Sequence, residues 1–399
     1  MAGNFVQLHN HTHYSLLDGA SKVPDLVKRV KELGMPAVGI TDHGNMHGAY
    51  ELWRAAVDSG VKPIIGIEAY VTPETARQDK TRVSWDTNWT PVPGHARNPD
   101  DVSGGGLITH LTMWAENDEG LVNLIKASSV ANLEGRVMRY PRMDKEVLST
   151  YSKGVIASSG CPSGIIQTRL RLGQFDEALR AAGEFQDIFG KDNFYIELMD
   201  HGLSIESKVT GDLLTIAKKL GAPLLATNDS HYVMEADKDA QDAMLCINSG
   251  ATLDDPNRFK FEGSGYYIKS AEEMRELFKD HPDACDNTLE IAERCNVIFD
   301  DHEDGAFMPQ FDCPEGWDET SLFLKKVEEG LEKRYDGNPP MEVLKQADYE
   351  CGVICQMQFC GYFLVVADYI NWAKEHGVMV GPGRGSAAGA MVAYADRKS

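Results

Sequence analysis

The feature that most restricts the fold is an alternation of short apolar, strand-like runs with amphipathic helical stretches over about the first 250 residues. Strand-like segments fall at 5–8, 37–41, 63–67, 107–113, 154–158, 194–198 and 223–227. Between them lie apolar side chains at helical spacing, such as Val23, Leu26, Val27, Val30 and Leu33, or Val209, Leu213, Ile216 and Leu220. A strand followed by a helix brings the next strand back parallel to the first. Seven such units in one run predict an α/β fold, a distorted (β/α)7 barrel. Residues 73–106, rich in Pro, Gly, Asp, Asn and Arg, interrupt the rhythm and read as an inserted surface loop. Its Trp85 and Trp89 are expected to pin the loop by packing; contact of these rings and Arg82 with a polymeric substrate is the lesser reading.

Beyond about residue 280 the alternation stops. A helical stretch with a turn at 284–305, a Pro- and Gly-bearing linker at 312–319, and helices from Leu322, at 342–358 and at 361–376 follow, then a short strand at 378–380. The chain therefore divides into 1–283 and a mostly helical 284–399. With 42% apolar and 25% charged residues it has the composition of a soluble globular protein. No run approaches the ~18 apolar residues of a membrane span, and no basic-then-apolar leader opens the chain. No membrane partner and a cytoplasmic location are expected. Eight cysteines without CxxC spacing give no disulfide framework. The net charge of −22 speaks against a broad nucleic-acid surface. Carboxylates gathered around divalent ions would not present bare charge, however, so a local site stays open.

The chemistry-bearing residues sit where strands end, the rim at which βα barrels place their working groups. His9 and His11, two apart in an extended segment, point the same way. Asp18 follows after a short loop. His43, Glu68, Cys161, Asp229 and His231 each follow or close an expected strand, and His110 lies within one. Five histidines, three carboxylates and a cysteine exceed what one ion takes, since zinc uses about four ligands. Two or three divalent ions are implied; mixed imidazole and carboxylate suits Zn, Mn or Fe, and the thiolate favours Zn. Clustered ions of this kind serve phosphoester hydrolysis. His13 and His47 lie beside ligand positions, and His201, after the sixth strand, could reach a substrate. A second constellation, Gly383-Arg384-Gly385-Ser386, is a Gly-rich turn of the sort that presents backbone N–H groups to phosphate.

The fragments LHNHTHYSLLDG, GITDHGNMHG, GIEAYV, ASSGCPSG and ATNDSHY resemble, in order, the motifs of the polymerase-and-histidinol-phosphatase (PHP) family of metal-dependent phosphoesterases. The segment GYFLVVADYINWAKEHGVMVGPGRGSAAGAMVAYA resembles the start of the palm in the α-subunit family of bacterial DNA polymerase III. The resemblance implies a PHP barrel over 1–283, an incomplete α+β palm region over 284–399, and His9, His11, Asp18, His43, Glu68, His110, Cys161, Asp229 and His231 as ligands of a cluster of three ions. His9, His11, Glu68 and Asp229 would share one ion, Glu68 would bridge to a second on His110 and Cys161, and Asp18, His43 and His231 would hold the third. Asp18, His43, Glu68 and Asp229 would be catalytic in a 3′→5′ proofreading exonuclease acting on the 3′ end of a DNA primer-template, with other replisome subunits as partners. Gly383, Arg384, Gly385 and Ser386 would meet an incoming nucleotide. The family's catalytic palm aspartates belong to a segment beyond Ser399, so polymerisation is not expected from this chain alone. The other readings are a non-catalytic, metal-binding PHP scaffold that stabilises the polymerase or docks a separate proofreading subunit, and a stand-alone small-molecule phosphatase. The palm-like segment speaks against the last.

Overall fold

The computed structural model describes residues 4–395 other than 87–89, 91–97, 99, 102–104, 264, 301–308, 382 and 384. Two compact units result, Met1–Phe299 and Asp300–Ser399. The first is built on β1 (Ala37–Ile40), β2 (Lys62–Val71), β3 (Thr109–Ala115), β4 (Arg142–Met143), β5 (Val155–Ser158), β6 (Phe194–Leu198) and β7 (Leu224–Ala226). Their order in the curled sheet is β1-β2-β3-β5-β6-β7, with the short β4 on β2.

Two departures from the expected barrel matter for the site. Residues 5–8 form no regular strand. The extended segment is bonded on both sides instead: Gly39 N donates to Gln7 O at 2.8 Å and Thr41 N to Asn10 O at 2.9 Å, while His11 N donates to Ser230 O at 2.7 Å. It is a stave between β1 and the residues after β7. Side chains take part of the ladder's role, with the Asn10 amide donating to Gln7 O and Gly39 O and the Thr288 hydroxyl accepting from Val6 N. Second, β3 is antiparallel to both β2 and β5, which corrects the all-parallel expectation. Among the described residues of the insertion no crossover helix joins β2 to β3. The chain therefore turns back at the rim where β2 ends, and the first residues of β3 lie at that rim.

Period-two alternation splits the strands between two layers. Val6, Leu8, Ala37, Ile64, Trp114, Ile156, Tyr195 and Leu225 fill the inside of the curl and meet Ile291 and Ala292 of the helix Pro282–Arg294 and Cys295 just past its end. Val38, Ile40, Ile65, Ile67, Met113, Ala157, Phe194 and Ile196 face outward into the layer packed by helices. Each such buried side chain contributes about 1.5–3 kcal/mol. Continuing the inner face toward the rim brings Glu68, Thr112, Ser158 and Glu197 onto it, all of them buried.

The insertion is anchored from within. Trp85 is buried in the main core with the Arg169 guanidinium 4.3 Å above its ring. Arg142 donates to the carbonyls of Arg77, Asp79, Leu107 and Gly135. Trp89 lies outside the described residues. The second unit packs the helices Glu319–Arg334, Met341–Gln356, Cys360–Glu375 and Met391–Ala395 around Phe323, Val327, Leu331, Leu364 and Val392. Asp318 caps the first of them through Ser321 N at 2.7 Å. The strand expected at 378–380 does not form; Val378 N closes the preceding helix on Ala373 O, and no described strand lies alongside. No single helix among the described residues is long and apolar enough to cross a membrane.

Candidate metal centre

The rim gathers side chains from separate elements. His9 and His11 come from the stave, Asp18 from the loop after it, and His43 from just past β1. Glu68 lies in β2 opposite Thr112, and His110 in β3 opposite Tyr70. Cys161 follows β5, and Asp229 and His231 follow β7. The reversed direction of β3 explains why His110 reaches the rim from the start of its strand, whereas His43, Cys161, Asp229 and His231 follow the ends of theirs. Asp229 occupies the left-handed backbone region at φ 43°, which Asp tolerates better than most residues.

Outer hydrogen bonds set which nitrogen each imidazole presents. His9 Nδ1 donates to Glu197 Oε1 at 2.7 Å. The Ser15 hydroxyl donates to Asp42 Oδ1 at 2.7 Å, so His11 Nδ1 donates to Ser15 Oγ at 2.9 Å. His231 Nδ1 donates to the Asp229 carbonyl at 2.7 Å. The Nε2 lone pairs are thereby turned inward. His9 Nε2 and His11 Nε2 lie 3.3 Å apart, and Asp229 Oδ1 is 3.3 Å from the first and 3.1 Å from the second. Glu68 Oε2 sits 2.7 Å from His43 Nδ1 and 3.1 Å from His110 Nδ1, whose nitrogen is 3.4 Å from Cys161 Sγ. Asp18 Oδ2 lies 2.7 Å from His43 Nε2 and 3.4 Å from His231 Nε2.

These nine residues thus share one cluster. Three sets bring their ligand atoms within 4.8 Å of one another: His9, His11 and Asp229; His43, Glu68 and His110; His11, His43 and His231. His43 belongs to two of the sets. Both Glu68 oxygens, Asp229 Oδ1 and His43 Nδ1 are buried without an aligned hydrogen-bond partner. Buried polar atoms are almost always satisfied, and these four are not. The donor set, imidazole and carboxylate with one sulfur, is that of a divalent transition-metal site, and its residues fit such ions.

The electrostatics agree. Burial opposes charge on His9, but the Glu197 and Asp229 carboxylates outweigh it and hold its pKa well above the ordinary value. His43 is raised likewise against burial, by Tyr70 and Glu68. His11 is lowered to about 3 by burial and by the neighbouring His43 and His231. Asp18 and Glu68 are held well below the usual carboxylate range despite burial, Asp18 by His231 and His43, Glu68 by His110 and His43. Burial pushes the Cys161 thiol well up, with Glu68 and Asp229 adding to it.

Two further buried carboxylates, outside the ligand set read from the sequence, touch the cluster or its outer partners. Glu197 accepts from His9, Ser158 and Thr227, and Asp42 accepts from Thr12 and Ser15. The signal for Glu197 was a single acid in the apolar strand Phe194–Leu198, in phase with inward Tyr195. His201 does not reach toward the cluster with a free nitrogen: Nδ1 meets Glu206 at 2.6 Å, Nε2 meets the Asn228 carbonyl at 2.9 Å, and the ring stacks on Tyr266. His13 and His47 join none of the three sets. In the second unit Ser386–Gly389 form a single 3-10 turn after an extended Gly385; Arg384 lies outside the described residues.

Comparison with known proteins covers both units. The PHP domain profile matches residues 7–201, and that of the bacterial DNA polymerase III alpha NTPase domain matches 321–397. The DNA polymerase III subunit alpha of Mycobacterium leprae is 51% identical over 393 residues, 98% of this chain. The chain is related to bacterial DNA polymerase III α subunits. It spans about a third of their length, 33% for the M. leprae α subunit and 32% for that of Treponema pallidum, which is 41% identical. Among solved structures, an amidohydrolase from Chromobacterium violaceum aligns with a TM-score of 0.32 at 14% identity, covering 57% of this chain and 87% of that one. The PHP profile match falls within the first unit and the α-subunit profile match within the second.

Proposed function

We propose that the rim cluster is a divalent-metal phosphodiesterase centre that shortens DNA from its 3′ end, the proofreading activity of a replicative polymerase α subunit. The observation that carries this reading is the inward convergence of His9 and His11 Nε2 with buried Asp229 and Glu68 oxygens that have no aligned hydrogen-bond partner. His9, His11, Asp18, His43, Glu68, His110, Cys161, Asp229 and His231 would hold two or three ions, Zn or Mn before Fe. Bound there, the ions supply a water of lowered pKa and positive charge for the phosphoryl oxygens. Glu197, Ser15 and the Asp229 carbonyl hold the imidazole rings to one tautomer, as outer partners of metal-bound histidines do. Asp18 and His43, each about one-sixth exposed and 2.7 Å apart, face the opening.

A DNA primer-template and other replisome subunits are the partners this reading requires. In the second unit, Gly383, Arg384, Gly385 and Ser386 are proposed to contact the phosphates of a nucleotide, with polymerisation left to regions other than this chain.

Elemental analysis and degradation of a 3′-extended, 5′-labelled primer by wild type and Asp18→Asn test the proposal together. Two or three metals per chain, with 3′→5′ shortening that the substitution abolishes, is the expected result. Bound metal with no shortening by the wild type refutes the nuclease and leaves the scaffold reading.

A further inference from the structure

The metal cluster opens into a cleft of about 790 Å³ whose far wall plays no part in ligation. In a chain with 61 acidic and 39 basic residues, this cleft is charged the other way. Among the described residues Asp18, a ligand candidate, is the sole carboxylate lining it, against Arg136 and Arg139. Neither arginine forms an ion pair among the described residues. Arg136 makes one long contact, 3.4 Å to Met138 O. Arg139 reaches across to Asn248 Oδ1 at 2.5 Å, and the Asn248 amide donates to Leu17 O at 3.2 Å. Arg139 is thus aimed by the loop that carries Asp18, and its guanidinium lies 5.3 Å from the Tyr140 ring centroid.

The same mouth carries apolar surface that water would ordinarily exclude. Leu16 is 78% exposed and Phe259 62% exposed. Phe259 meets Phe261 edge to face, and Phe261 meets His231 the same way, so an aromatic path leads from the mouth to the ligands. Unpaired guanidinium beside open aromatic and aliphatic faces is the surface that single-stranded nucleic acid fits: backbone phosphate on Arg, bases on rings. A small phosphate monoester would need the charge but not the apolar wall.

We infer that Arg136, Arg139 and Phe259 form a subsite for a single-stranded polynucleotide end, the arginines on phosphates next to the one at the metals and Phe259 under a base. The inference rests on the phosphodiesterase reading for which end is fed to the metals, but its test is binding. Anisotropy of a fluorescein-labelled oligothymidylate of about ten nucleotides is read across salt concentration, in the Asp18→Asn background so that the strand stays intact.

Arg136→Gln/Arg139→Gln is expected to weaken binding by roughly tenfold or more. It should also reduce the slope of log K against log salt by about 1.4, two phosphates at about 0.7 each. Phe259→Ala is expected to weaken it about fivefold or more with the slope unchanged. Metal content and melting temperature are read on every variant. Should the double variant fold poorly, Arg136→Gln alone, an exposed change, should lower the slope by about 0.7. Unchanged affinity and slope in the arginine variants overturn the subsite. So does displacement of the strand by inorganic phosphate as effectively as by unlabelled strand, which would mark a small-phosphate site. Arginine-dependent binding by a wild type that never shortens the strand keeps the subsite and removes the proposed nuclease.

Discussion

Replacing Glu197 by Gln separates the metal centre from the barrel that carries it. Glu197 is fully buried on the inner face of β6 and lies against His9 rather than against the cleft. Its Oε1 accepts from His9 Nδ1 at 2.7 Å and from Thr227 Oγ1 at 2.6 Å, and its Oε2 from Ser158 Oγ. The amide keeps volume and an acceptor for His9, and the Ser158 hydroxyl can turn to accept from the new NH2. The fold should therefore lose only about 1 kcal/mol. The charge behind His9 is lost, however, and an outer partner of a metal-bound histidine is worth about 10- to 100-fold in metal affinity, or about 1.4–2.7 kcal/mol. Glu197 also helps raise the His9 pKa, so its removal weakens proton competition for that ring. The affinity deficit should be widest at high pH and narrow as pH falls. Zinc or manganese titration against a chromophoric chelator at several pH values, with melting temperatures of the loaded and chelated forms, measures both quantities. Wild-type affinity in Glu197→Gln at every pH would refute the positioning argument. Glu197→Ala, which strands three buried donors, should cost the fold itself about 3 kcal/mol or more.

Chelation should lower the melting temperature, because the orphaned Glu68 and Asp229 oxygens lose their counter-charges; an unchanged melting curve after verified metal removal would contradict a bound cluster. Metal loading near neutral pH should release protons, since His9, His43, His231 and Cys161 all have raised pKa values in the metal-free protein. Calorimetry in buffers of different ionisation enthalpy reads that count, and a count of zero would refute it. The chelated protein should be most stable just below neutral pH, because His11, lowered to about 3, costs stability as pH falls below its ordinary 6.5. Raised histidines contribute fully below their ordinary value of 6.5 and lose that contribution as pH climbs through the raised values, while the depressed Asp18 and Glu68 lose theirs only as pH falls below the usual carboxylate range. Gly120→Ala should destabilise the first unit by about 1–3 kcal/mol or more, because a Cβ there would lie 1.7 Å from Gly154 O; a wild-type melting temperature would show that the two backbones can part.

Much of this protein was legible before any coordinates. Helical spacing located Val23–Glu32, Ser204–Leu220 and the helices after residue 318, because the same apolar residues that mark a periodic face are those the core buries. His9, His11, Asp18, His43, Glu68, Cys161, Asp229 and His231 were legible as ligand types at or near strand ends, since a βα repeat sends such ends toward one rim, and His110 as one within its strand. Tertiary structure alone decided the rest. The reversal of β3 depends on whether 73–106 carries a crossover helix, a matter of long-range packing that local pattern does not encode. The stave at 5–11 takes its bonds from β1 and from Ser230, more than two hundred residues away in sequence. Glu197, Asp42 and the Arg136–Arg139 mouth acquire their roles from what faces them across space. Sequence spacing determines which side chains share a strand face; which imidazole nitrogen meets which carboxylate is set only when the curled sheet brings separate strands within hydrogen-bonding distance.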